Sequence, residues 1–174
     1  MKLFKTIRDQ DFGLDTPPST EKRERRASRV IVFDEERNVA ILKVAKRGFH
    51  KLPGGGIDEG ESIVDALRRE TIEEVGCELA NIEELGMVEE FRDKFGLHQI
   101  SYCFVGDVIG EKKPPKFEPG EIADGMVPVW LKLDEAIATL AAETDVQDYE
   151  GKFIQVRDLT LLEEAKKYLE IASQ

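Results

Sequence analysis

Eight acids and only two bases lie between Asp58 and Glu78, immediately after the glycine triplet Gly54-Gly55-Gly56. Glu70 and Glu74 are four residues apart and Glu73 is three from Glu70. At about 100° per residue, their carboxylates fall within one arc of roughly a third of a helix. Like charges at that spacing destabilise an isolated helix by about 0.2–0.5 kcal/mol per pair, so something of opposite charge must favour them in the working state. Carboxylate oxygens suit a hard divalent cation. Mg²⁺ in particular is held by few protein carboxylates and keeps its other positions for water and substrate phosphate. On this reading, neutralising Glu74 relieves repulsion and leaves the metal-free fold equally or slightly more stable, while Glu78 stands apart from the arc.

The glycines supply the other half of such a site. Pro53-Gly54-Gly55-Gly56 carries no bulky side chain, so backbone can approach a ligand closely and a carbonyl can face a cation. A tight turn into a solvated acidic helix is the plain alternative for either feature alone, but here the two features adjoin. The helix is expected over 62–75, where Ile63, Ala66, Leu67 and Val75, joined by Val64 and Ile72, give it a side to bury.

Other elements must hold this loop and helix in place. β-Branched runs on either side of the turn-like Asp34–Asn38 predict a hairpin, and "ELGMVEEF" and "HQISYCFVGDVIG" predict a second strand pair around Arg92–Gly96. After the proline- and glycine-rich "KKPPKFEPGEIADG" come a strand in "MVPVWLKL" and a short helix with Asp134 as its N-cap. Leu162, Ala165 and Leu169 mark a closing amphipathic helix from residue 157 onward. The pattern is α/β, a central mixed β-sheet covered by helices. At 174 residues the chain is expected to be one domain, 1–174, with 1–26 an N-terminal extension or edge segment and 27–171 the core.

The acidic stretch resembles the signature of the Nudix hydrolase family: Gly, five residues, Glu, seven residues, Arg-Glu, an apolar residue, any residue, Glu-Glu, any residue, Gly, an apolar residue. Gly55, Glu61, Arg69-Glu70, Glu73-Glu74 and Gly76 fill each fixed position. Thr71 and Cys77 stand at the apolar positions, and both are small enough to be buried there. The order of elements is also similar to the family's α/β/α sandwich. The resemblance implies a hydrolase that cleaves the pyrophosphate linkage of a nucleoside diphosphate joined to another group, by attack of water on phosphorus. It implies that Glu70, Glu73, Glu74 and the Gly55 carbonyl hold Mg²⁺ or Mn²⁺, with Arg69 and Glu61 orienting the carboxylates from behind. The residue that takes the water's proton varies within the family. Glu121 is the candidate here, with Glu118 beside it and Glu89 and Glu90 as rivals. Two other readings stay open, a nucleoside triphosphate pyrophosphohydrolase acting on ordinary or oxidised nucleotides, and a nucleotide sensor without turnover. The second usually goes with a broken acidic set or an appended DNA-binding module, and this chain has neither.

Substrate contacts are harder to read. Lys46, Arg47 and His50 precede the glycines and could meet phosphates, Phe49 could stack on a base, and "EKRERR" is a local basic reversal whose plainest reading is a solvated strand flank. The formal net charge of -11 opposes binding of a nucleic-acid polymer, which needs Lys and Arg clusters. No apolar run approaches the roughly 20 residues of a membrane helix. Arg8, Asp9 and Asp11 interrupt the span where an export signal would keep its apolar core. Cys77 and Cys103, the only cysteines, lack metal-ligand spacing and fit a reducing compartment. The expectation is a cytoplasmic monomer or homodimer acting on a small nucleotide.

Overall fold

The computed structural model describes residues 1–172. Its seven strands, β1 (Leu3–Arg8), β2 (Arg23–Phe33), β3 (Asn38–Val44), β4 (Phe49–Lys51), β5 (Glu78–Arg92), β6 (Leu97–Ile109) and β7 (Met126–Lys132), form one sheet in the order β1-β5-β6-β2-β3-β4, with β7 paired to β3. Strand β2 runs parallel to β6 over its whole length and β1 parallel to β5, while the β5–β6 and β3–β7 pairs are antiparallel. The sheet is therefore mixed, and residues 3–8 supply one of its edges. Both expected strand pairs are present. The first meets as a hairpin only at Phe33 and Val39, because β2 gives its length to β6 instead.

Alternation along β2 explains the two covered faces. Val30 and Val32 pack with Leu67 and Val75 of α1 (Ile63–Val75), whereas Ile31 and Phe33 face α3 (Leu133–Ala141) and α4 (Tyr149–Ala172), where Leu140, Phe153, Leu161 and Leu162 are fully buried. Each such side chain contributes roughly 1.5–3 kcal/mol by leaving water. Among the described residues no helix is long and apolar enough to cross a membrane.

Helix α1 begins where Ser62 Oγ accepts the Asp65 N–H at 3.1 Å. It ends at Gly76, whose φ of 75° is the left-handed conformation that lets its N–H reach the Thr71 and Ile72 carbonyls. Its buried side is narrower than the apolar pattern suggests. Val64 and Ile72 are exposed, and Thr71 is buried in their stead, its hydroxyl donating to the Leu67 carbonyl at 2.7 Å.

Two expected helix starts differ, and one helix was not expected. Helix α3 starts at Leu133, and Glu135, not Asp134, closes its first turn by accepting the Lys132 N–H at 3.1 Å. Asp134 instead pairs with Lys166 at 2.8 Å. Helix α4 starts at Tyr149 rather than near 157, since Asp148 accepts the Gly151 N–H at 2.7 Å and acts as a cap. The proline-rich loop contains a single short helix, α2 (Pro119–Ala123).

Candidate functional site

The glycine loop is laid along β2 by backbone hydrogen bonds. The Ser28 N–H donates to the Gly55 carbonyl at 3.0 Å, Val30 N–H to the Pro53 carbonyl at 3.1 Å, and Ile57 N–H to the Arg26 carbonyl at 3.0 Å. This brings Gly55 against α1 so closely that a Cβ there would overlap the Glu70 carboxylate. Glycine is needed for that approach.

Arg69 organises the near side of the site. Its Nε and Nη2 donate to the two Glu61 oxygens at 3.0 and 3.1 Å, its Nη1 to Glu70 at 2.8 Å and Glu73 at 3.3 Å, and its Nη2 also to the Gly56 carbonyl at 3.0 Å. The Arg69 hydrogen bonds hold the Glu61 carboxyl below its ordinary range, and the same contacts, Glu61 first, raise Arg69 itself. Burial, and then the Glu74 charge, push Glu70 the other way, upward.

Glu74 is 1% exposed and already engaged, accepting from the Gly54 N–H at 2.6 Å and from Lys51 Nζ at 2.7 Å. Its charge is therefore not the unrelieved repulsion expected of the helix in isolation. Removing it would strand Lys51, which corrects the expectation that neutralising Glu74 leaves the fold equally or more stable. Glu121 follows on α2, its carboxylate accepting the Glu118 N–H at 2.9 Å. Burial, with the adjacent Glu74 carboxylate adding to it against that amide, lifts Glu121 to about 7.

Gly55, Glu70, Glu73, Glu74, Glu118 and Glu121 all line one cavity of about 640 Å³. Glu61 lies behind Arg69 rather than on its wall. The rivals Glu89 and Glu90 are not on the lining. Glu90 is fully buried between Arg92 at 2.9 Å and Arg157 at 3.4 Å, and Glu89 stands 3.7 Å from His98. Among the described residues, no three His, Cys, Asp or Glu side chains stand together as a ready cage for an ion. The donors nevertheless suit a hard cation: carboxylate oxygens and a carbonyl beside a glycine where a side chain has no room. Such a cation would take part of its coordination from water and phosphate, as Mg²⁺ commonly does.

The cavity is lined by basic residues as well as acids, which the sequence reading largely missed. Arg25, Arg29, Arg47, Lys51, Arg92 and Arg157 reach it from β2, the β3–β4 region, β5 and α4. Arg25 belongs to the "EKRERR" stretch taken for a solvated flank, and a visible signal was Arg29 leading into the buried run "VIVF". Arg92 and Arg157 carry no local signal, since only the tertiary fold brings them together. Burial, and then the neighbouring Arg157, lower Arg29 to about 10.

Of the expected phosphate contacts, Arg47 lines the cavity, held by Asp148 at 2.6 Å and Glu150 at 3.1 Å. Lys46 does not line it, and His50 Nδ1 lies 2.5 Å from Glu143. Phe49 is only 2% exposed and packs with Leu42, Val44 and Val146, so it cannot stack on a base.

Comparison with known proteins agrees with this architecture. The chain is 33% identical over 85 residues to an RNA pyrophosphohydrolase of Ruthia magnifica subsp. Calyptogena magnifica, covering 48% of each chain. It is 35% identical over 81 residues to a putative 8-oxo-dGTP diphosphatase of Bacillus subtilis (strain 168), covering 47% of this chain and 52% of that protein. The chain thus spans about half the length of the curated relatives it matches. The fold is shared with the MutT protein of Methanosarcina mazei Go1, at a TM-score of 0.57 and 18% identity over 86% of this chain and 99% of that one. It is shared also with a Nudix hydrolase from Nitrosomonas europaea, at a TM-score of 0.57 and 20% identity over 78% and 92% of the two chains. A family model described as the NUDIX domain matches residues 23–156, spanning the glycine loop, α1 and the sheet that carries them, and the chain belongs to that family.

Proposed function

We propose that this protein is a divalent-metal-dependent hydrolase that cleaves the pyrophosphate linkage of a nucleoside diphosphate derivative by water attack on phosphorus. The observation that carries the reading is one cavity lined both by Glu70, Glu73 and Glu74 beside Gly55 and by several arginines. Acids alone would repel a diphosphate and arginines alone would bind it without cutting it. Glu70, Glu73, Glu74 and the Gly55 carbonyl would hold Mg²⁺ or Mn²⁺. When bound, the metal neutralises diphosphate charge and makes a coordinated water a better nucleophile. Arg69, tied to Glu61, fixes the orientation of Glu70 and Glu73. Glu121, on the same lining and next to Glu74, is the proposed acceptor of the water's proton.

A second reading, pyrophosphohydrolysis of a nucleoside triphosphate, draws support from the relatives' names and from the number of arginines on the cavity wall. A phosphohydrolase screen over nucleotide sugars, dinucleotides and triphosphates, with monophosphate and pyrophosphate release measured separately, tests both. Diphosphate derivatives turned over to two monophosphates support the first, and pyrophosphate release from triphosphates supports the second. No turnover of any phosphoanhydride in Mg²⁺ or Mn²⁺ contradicts both.

A further inference from the structure

Strand β4 ends at Lys51, and the next backbone N–H, that of Leu52, is taken by a side chain from α4: Asp158 Oδ2 accepts it at 2.7 Å. Leu52 and Asp158 are both fully buried, and neither lines the cavity. Arg157 fixes the acceptor, its Nε donating to Asp158 Oδ1 at 2.6 Å and its Nη2 to Oδ2 at 3.0 Å. Adjacent residues of a helix do not face each other, so this is not the ordinary ion pair of a helix surface. The forked contact holds the carboxylate plane with Oδ2 toward Leu52.

Leu52 stands in the chain between the two groups that grip Glu74. Lys51 Nζ donates to one Glu74 oxygen at 2.7 Å, and the Gly54 N–H donates to the other at 2.6 Å. The Pro53 and Gly55 carbonyls fasten the loop to β2, and a Cβ on Gly54 would overlap the Ser28 carbonyl oxygen. Those contacts hold the loop from the side of β2, whereas the Leu52 bond holds the chain entering it from the side of α4. The two fastenings together set where Lys51 and Gly54 meet Glu74. A buried donor left without an acceptor is costly, so loss of the Asp158 carboxylate draws the Leu52 N–H toward another partner and shifts its neighbours with it.

We propose that Asp158 is a positioning residue for the metal-binding carboxylates, acting through the Leu52 N–H on the contacts that Lys51 and Gly54 make with Glu74. Removing the acceptor then weakens the hold on a divalent cation without touching any of its ligands. The inference rests on the divalent-metal reading above.

Removing Asp158 alone would strand the buried Arg157, so the test compares two double variants that lose both charges, Arg157→Met/Asp158→Asn and Arg157→Met/Asp158→Ala. The first keeps an amide oxygen for the Leu52 N–H and the second does not. Asp34→Asn, which breaks contacts to Asn38 and Lys112 at the β2–β3 turn, is the destabilised control. Mn²⁺ affinity is measured without substrate, from the electron paramagnetic resonance signal of free Mn²⁺, at a temperature where circular dichroism shows each protein folded. The Asn variant should bind Mn²⁺ at least about tenfold more tightly than the Ala variant, the effect typical of contacts that orient metal ligands. Asp34→Asn should match wild type. A merely structural Asp158 would lower the melting temperature and leave the affinity of the folded protein alone. Should the Ala variant not fold, Arg157→Met/Asp158→Leu, which keeps the volume while removing the acceptor, takes its place in the comparison. Equal affinity with and without the acceptor, or an Asp34→Asn protein that loses affinity along with stability, overturns the positioning role and leaves the hydrolase reading standing. No Mn²⁺ binding by wild type overturns the metal reading and the positioning role together.

Discussion

Replacing Glu74 with Gln removes a charge that has two partners. An amide keeps the size of the side chain but cannot match both the Lys51 ammonium and the Gly54 N–H, which approach the two oxygens at 2.7 and 2.6 Å. Glu74→Gln is therefore expected to lower stability by about 1–3 kcal/mol, the range for a buried hydrogen-bonded pair losing one member. If Glu74 holds the catalytic metal, turnover should also fall by at least about a hundredfold, or roughly 2.7 kcal/mol at the transition state. Glu73, half-exposed and bound to Arg69 at 3.3 Å, gives the contrast, because Glu73→Gln should lose turnover with little change in melting. Urea unfolding of both variants beside their rates separates the two effects. A Glu74→Gln protein as stable as wild type would contradict the Lys51 pairing. The spacing of Glu70, Glu73 and Glu74 was legible in the sequence because a helix turns spacing into direction. Lys51 was not, since its contact spans 23 positions of chain.

At the scale of elements, α1 depends on its ends as well as its buried side. Ser62→Ala removes the acceptor for the Asp65 N–H and should cost about 1 kcal/mol, with the transition midpoint in urea shifted and its slope unchanged. The β2–β3 turn carries a different dependence, on acid. Asp34 accepts from the Asn38 backbone and side chain at 2.8 and 3.1 Å and from Lys112 at 2.8 Å. Against a desolvation that would raise it, these donors hold Asp34 at about 2. A carboxyl lowered in the folded state adds stability above its unfolded pKa, and that stability is lost as pH falls through the folded value. Wild type should therefore exceed Asp34→Asn in stability at pH 5, and the gap should narrow between about pH 4 and 2. A gap independent of pH would contradict the ion pairing. Elements with a clear period, α1 and the strand pair β5–β6, were legible, whereas α2 and the first turns of α4 were not. A five-residue helix has no period to show, and Gly151 in "DYEGKF" is a poor helix former whose place in α4 brings it against Phe49 and Val146, where a larger side chain would collide.

The whole molecule joins an acidic chain, formal net charge -11, to a cavity lined by several arginines beside its carboxylates. The Nudix signature made the carboxylate side legible because it is continuous in sequence. The arginines come from β2, β5 and α4, which only the folded sheet and its covering helix bring together. Because β1 pairs with β5 and α4 packs on both, residues 1–172 are proposed to unfold as one unit. Heat or urea should give coincident transitions by near- and far-ultraviolet circular dichroism, and two separated transitions would contradict a single domain. If the acids beside Gly55 work through a divalent cation, release of product from the best substrate of the phosphohydrolase screen, followed in Mg²⁺, in Mn²⁺ and in excess EDTA, must depend on the metal. Turnover should rise with either metal and cease with chelator. Full turnover in excess EDTA would contradict it.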